Sequence, residues 1–160
     1  MDSRVDRGPV TTPDSVDTDV RLGILNWMVA NATAPTVAEM ATTVGIPEAD
    51  VAAAYDRLAA GRVIVLRPGT RDVLMAAPLS AVPTRYAVRL EDDGRVYGNC
   101  AWDALGVLAM VGTDGEVHAT CPDCEAPLRL AVHDGVLEPS DAVVHFALPP
   151  ARWWEDIVFT

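Results

Sequence analysis

Proline and glycine constrain this chain more than any other feature. Ala34-Pro35, Gly45-Ile46-Pro47, Gly61 and Pro68-Gly69-Thr70 cut the first half into pieces of helix and then strand length. Proline lacks an N–H and keeps its predecessor out of the helical region, so no single long element can cross these points. The piece from about Thr18 to Asn31 carries Val20, Leu22, Ile24, Leu25, Trp27, Met28 and Val29 as an apolar side. Thr36 precedes VAEMATTV with Glu39 at the capping-box position. Pro47 opens PEADVAAAYDRLAA, where Val51, Ala54, Tyr55 and Leu58 share a face and Gly61 ends the run. RVIVLRP and DVLMAAP then read as two strands around the turn. Three helices and a hairpin make a winged helix-turn-helix pattern over residues 17–80, whose most obvious use is DNA binding.

Charge argues against that use. The net charge is −11, every basic residue is an arginine, and both halves are net acidic. The third helix would read the DNA, yet it offers Glu48, Asp50 and Asp56 against Arg57. An acidic reading helix meets phosphate repulsion, and neither half has a basic patch. Nucleic acid is therefore not an expected partner, and the unit serves equally well for packing or dimerisation. Residues 1–16 read as a flexible polar leader without the apolar core of a secretion signal. No apolar run reaches the ~18 residues of a membrane span. A cytoplasmic location is expected, where three cysteines suit metal binding or chemistry better than a disulfide frame.

The second half reads as a different kind of unit. PLSAVPTRY at 78–86 is a proline-rich connector, which sets the expected domains at 17–80 and 81–160. RYAVRLE and RVYGN pair around Asp93-Gly94. A mostly buried helix follows, broken by Gly112 and Gly115, then strands EVHATC, PLRLAVHDG and VVHFALP, and a short amphipathic ARWWEDIVF. The expected fold class is α+β: a winged-helix-like part followed by a small, mostly antiparallel sheet with helices.

All three cysteines, Cys100, Cys121 and Cys124, fall between Tyr97 and Leu128, together with His118. Asn99 suits an N-cap, which puts Cys100 in the first turn of the helix, where the N-terminal field favours thiolate. Asp103, three residues on, shares its face. The pair offers a nucleophilic sulfur beside a proton carrier, although a buried helical cysteine is also an ordinary small hydrophobe. Cys121-x-x-Cys124 has zinc-knuckle spacing, and Cys100 with His118 could complete a Cys₃His set. Against this, His118 and Cys121 are three apart in a strand and so face opposite ways. A Cys100–His118–Asp103 hydrolase is a further arrangement that no flanking motif favours. His133 and His145 are read as strand residues rather than ligands, and Trp153 and Trp154 as packing residues.

At YGNCAWDALG (97–106), HATCPDCEAPLRL (118–130) and VVHFALPPARWWEDIVF (143–159), the sequence resembles the organomercurial (alkylmercury) lyase family. The resemblance implies cleavage of a carbon–mercury bond, with thiolates holding the soft metal and a carboxyl group protonating the leaving carbon. It implies that Cys100 is the first nucleophile, Asp103 the proton carrier and Cys121 a structural thiol. It places the family's second catalytic cysteine beyond the segment resembling WWEDIVF, where this sequence stops at Thr160. Cys124 is the expected substitute, giving a mercury-holding set of Cys100, Asp103 and Cys124. No cofactor is expected to be required, mercury(II) being product and ligand, with zinc at Cys121/Cys124 as the alternative. The implied partners are an organomercurial substrate and low-molecular-weight thiols. Rival readings are a metal-responsive DNA-binding regulator and a non-catalytic zinc module.

Overall fold

The computed structural model describes residues 15–92 and 94–158 of the 160. Residues 1–14 of the expected leader, Asp93 of the expected hairpin signal, and Phe159 and Thr160 lie outside the described residues. The first helix, α1 (Ser15–Asn31), begins three residues before the expected start, so Ser15 and Val16 are helical rather than leader. Helix α2 (Val37–Val44) is fixed by its cap. Thr36 Oγ1 accepts the Glu39 N–H at 3.2 Å, and Glu39 Oε2 accepts the Thr36 N–H at 2.8 Å. Gly45 closes it at φ 71°, a conformation glycine adopts without a Cβ clash. Helix α3 (Glu48–Ala60) buries Val51, Ala54, Tyr55 and Leu58, the face its spacing predicts.

Strands β1 (Val65–Leu66) and β2 (Val73–Ala76) form the expected hairpin. The connector then differs from expectation. Leu79–Ser80 is a short strand, β3, that pairs with β2 on one side and with β5 (Arg95–Gly98) on the other. Two residues are too short to show a period, so the proline-rich composition hid the strand. Strand β4 (Tyr86–Leu90) pairs with β5 and with β6 (Gly115–Thr120), which pairs with β7 (Pro127–His133), which pairs with β8 (Val136–Leu137). The described strands form one antiparallel eight-stranded sheet in the order β1-β2-β3-β5-β4-β6-β7-β8. The sheet therefore runs through the 80/81 position.

The molecule is α+β. Helix α4 (Ala101–Val111) lies on the sheet and buries Ala104, Val107 and Leu108 against β3 to β6. These join Val20, Ile24 and Met28 of α1, Tyr55 of α3, and Leu79, Val88, Val96 and Val117 of the sheet in one buried cluster. VVHFALP is not a strand. Residues 143–149 are irregular, because the tight turn at Asp134-Gly135 returns the chain as β8, which occupies the edge next to β7. Phe146 packs instead on Trp153, with ring centroids 5.1 Å apart, and Pro150–Glu155 forms a 3-10 turn. No described helix is long and apolar enough to cross a membrane.

Candidate active site

Strand β5 passes into α4 through Asn99 and Cys100 alone. The junction is tight. A methyl group on Gly98 would sit 2.6 Å from the Ala104 nitrogen and 2.7 Å from its Cα, both unyielding backbone atoms. Glycine thus lets the strand end lie against the first turn of the helix. The Thr84 hydroxyl holds the same point by donating to the Gly98 carbonyl at 2.7 Å.

Cys100, not Asn99, is the N-cap. Its backbone is extended and its sulfur accepts the Asp103 N–H at 3.4 Å. Asn99 serves the carboxyl group instead: its Nδ2 donates to Asp103 Oδ2 at 3.2 Å. Asn99 Oδ1 is buried with no hydrogen-bond partner among the described residues. Cys100 and Asp103 are thus brought together by a single helical turn.

The thiolate bias expected at Cys100 is opposed by burial. Burial pushes the thiol above its ordinary range. The N–H groups of Asp103 and Trp102 pull the other way, but burial and the Asp103 carboxylate outweigh them. Burial also raises Asp103, against the Asn99 amide and the Cys100 thiol, which stabilise its charged form. Cys100 and Asp103 are thus adjacent acids, each disfavouring its anion, and the carboxylate is the base placed in the same helical turn as the thiol.

Cys100 opens onto two cavities. One, of about 260 Å³, contains Asp103, Asn99, Trp102 and Trp154, and Met75 and Val65 of the β1–β2 hairpin. The other, of about 410 Å³, contains Cys121, Tyr86, Leu130, His145 and Leu148. Phe146 and Trp153 line both. The sequence held little sign of the hairpin's contribution, which follows from β3 joining β2 to β5. Arg62 also lines the first cavity, with its guanidinium 5.4 Å from the Trp154 ring centroid.

Cys124 is exposed and lines neither cavity. Among the described residues, no group of three or more His, Cys, Asp or Glu side chains gathers to hold a metal ion. Neither the expected Cys100, Asp103, Cys124 set nor a Cys₃His zinc site is therefore assembled. His118 is exposed on β6 and pairs with Glu116 at 2.9 Å. His133, the last residue of β7, lies beside Asp114 and Glu138. His145 lies in the irregular segment, not in a strand.

Cys121 and Cys124 flank the β6–β7 turn. It is closed by Cys121 N–H to Ala126 O at 2.9 Å and Glu125 N–H to Cys121 O at 3.0 Å. The N–H groups of Cys124 and Asp123, and then the Cys124 thiol, hold the Cys121 thiol below its ordinary range.

Residues 79–160 match the family model described as alkylmercury lyase. The chain belongs to the alkylmercury lyase family. It is 30% identical over 125 residues to the alkylmercury lyases of Bacillus cereus and Clostridium butyricum, a match covering 76% of this chain. It spans 55% of the length of these relatives. A solved structure, the mercury-bound form of MerB2, superposes with a TM-score of 0.64 at 21% identity, over 82% of this chain and 62% of that one. That similarity extends to the fold.

Proposed function

We propose that this chain captures an organomercurial at Cys100 and cleaves its carbon–mercury bond by protonation from Asp103. The observation that carries the reading is the placement of Cys100 and Asp103 in one helical turn, with the Asp103 N–H on the Cys100 sulfur and both residues lining one largely apolar cavity. Mercury is soft and thiophilic, so sulfur is its natural ligand. As the Cys100–mercury bond forms, the thiol proton passes to the Asp103 carboxylate and the original mercury ligand leaves as an anion. The raised affinity of Asp103 for a proton suits it to hold that proton. The electron pair of the carbon–mercury bond then takes the proton from Asp103, releasing a hydrocarbon and leaving mercury(II) on the Cys100 sulfur. A positioned general acid contributes about 10²–10⁴-fold to such a step. Trp102, Trp154, Met75 and Val65 give the organic group an apolar wall. Low-molecular-weight thiols supply further sulfur ligands, and no cofactor enters the scheme.

The names of the curated relatives and the mercury-bound state of the structural neighbour support this reading. The regulator reading gains nothing from α3. Its sole cation, Arg57, pairs with Asp17 at 2.6 Å, and Asp56 pairs with Arg71 at 2.7 Å. The test is anaerobic incubation with a simple organomercurial and excess small thiol, following hydrocarbon release. Cys100→Ser is expected to abolish hydrocarbon release. Asp103→Ala is expected to capture mercury but to lose release by about 10²-fold or more. Release by Cys100→Ser at the unsubstituted rate would sink the proposal.

A further inference from the structure

The reaction above ends with mercury(II) on a half-buried sulfur, and soft metal bound to thiolate leaves by exchange onto other thiols. Cys100 and Cys121 both line the second cavity, and Cys121 shares a tight turn with exposed Cys124. Cys100 and Cys121 are half-buried and Cys124 is exposed, so the series ends at solvent. We propose that the Cys121–Cys124 turn is a second, two-thiolate site that accepts mercury(II) from Cys100 and presents it to solvent thiols. The source of the metal rests on the lyase reading; the site itself does not.

Two features of the turn fit that role. Cys121 and Cys124 are three residues apart in one tight turn, so a two-coordinate metal can bridge neighbours. The turn is closed by backbone hydrogen bonds that do not depend on the thiols. A zinc ion would need about four ligands, which the described residues do not gather, whereas mercury(II) is satisfied by two thiolates.

The exchange balances. Mercury begins bonded to Cys100 sulfur and to one small thiolate, and both bonds break. Bonds to Cys121 and Cys124 form in their place. The two protons leaving those thiols go to Cys100 and to the departing small thiol. Mercury stays divalent throughout, and two small thiols later reverse the last step to carry it away.

Cys100→Ser protein titrated with mercuric chloride against a competing monothiol tests the site without any lyase activity. One tightly held equivalent is expected, and subsequent alkylation should find both Cys121 and Cys124 protected. A neighbouring thiol supplies an effective concentration on the order of 1 mM, so against about 10 μM competitor the chelate gains about 100-fold. Adding Cys121→Ser or Cys124→Ser should lose that factor, while circular dichroism checks that the fold survives. Failure of Cys100→Ser protein to retain mercury, or free labelling of either cysteine after loading, would overturn the site. In the hydrocarbon assay, Cys124→Ser should slow later turnovers relative to the first. An unchanged ratio would overturn the transfer. Absence of hydrocarbon from the unsubstituted chain would count against the lyase reading alone, since the mercuric chloride titration does not use it.

Discussion

The α4 N-terminus and the β6–β7 turn do the same thing to a sulfur and obtain opposite results. In each, backbone N–H groups two and three positions ahead favour the thiolate: Trp102 and Asp103 at Cys100, Asp123 and Cys124 at Cys121. At the turn this lowers the thiol, because solvent reaches the group and burial opposes only weakly. At the helix it does not, because burial is the largest influence and the Asp103 carboxylate adds to it. Local donor geometry therefore does not decide reactivity; the competition with desolvation does. The buried thiol keeps its proton until a metal displaces it, with a carboxylate beside it to receive that proton. The Cys121 thiol, lowered at the turn, gives up its proton more readily, which suits exchange.

The largest way to break the comparison is at Gly98. In Gly98→Ala the new methyl must displace the Ala104 backbone, so the N-cap at Cys100 cannot keep its geometry. Overpacking of this kind costs about 1–3 kcal/mol. At about 2–4 °C per kcal/mol for a chain of this size, thermal unfolding should show a fall of several degrees. Hydrocarbon release should fall as well, while the alkylation rate of Cys121, two strands away, should hold. A stable, fully active Gly98→Ala protein would mean that the tight junction does not position the site.

A second experiment reads the contrast directly. Alkylation rates of Cys100 and Cys121, followed by mass spectrometry across pH, should rise in the order Cys121 first and Cys100 later. The sign follows from the thiols: lowered at Cys121, so its thiolate appears at lower pH, and raised at Cys100, so its thiolate appears at higher pH. Asp103→Asn removes a negative charge that opposes the Cys100 thiolate, and should move the Cys100 profile down towards that of Cys121. Coincident profiles in the unsubstituted chain would erase the distinction between the two sites.

How much of this was legible depended on distance along the chain. The α2 cap was readable because Thr36 and Glu39 are three residues apart and satisfy each other. The buried face of α3 was readable because periodicity records which side meets the core. The Cys100–Asp103 pair was readable for the same local reason. The cap itself was misread: propensity favours Asn99, but the close approach at Gly98 puts Cys100 at the boundary and sends the Asn99 amide to Asp103. The hairpin's share of the first cavity was not readable, since it depends on β3, two residues that link β2 to β5. VVHFALP misled because strand composition does not reveal whether a sheet edge is free.

The smallest effect sharpens the helix side of the comparison. Burial raises Asp103, and the Asn99 amide is the foremost influence holding it down. Asn99→Ala removes that donor, so Asp103 should keep its proton to still higher pH. Protonolysis needs the protonated carboxyl group, so its rate falls as pH rises through the Asp103 titration. In single turnovers started from preformed mercury-bound enzyme, this descending limb should therefore lie at higher pH in Asn99→Ala than in the unsubstituted chain. The cost to stability should be modest, because Asn99 Oδ1 has no partner to lose among the described residues and its removal relieves a buried unpaired acceptor. A limb that stayed in place, or moved to lower pH, would mean that the amide does not restrain the carboxyl group. The proton inventory of the site would then rest on burial and the thiol alone, and the difference between the two cysteine sites would reduce to solvent access.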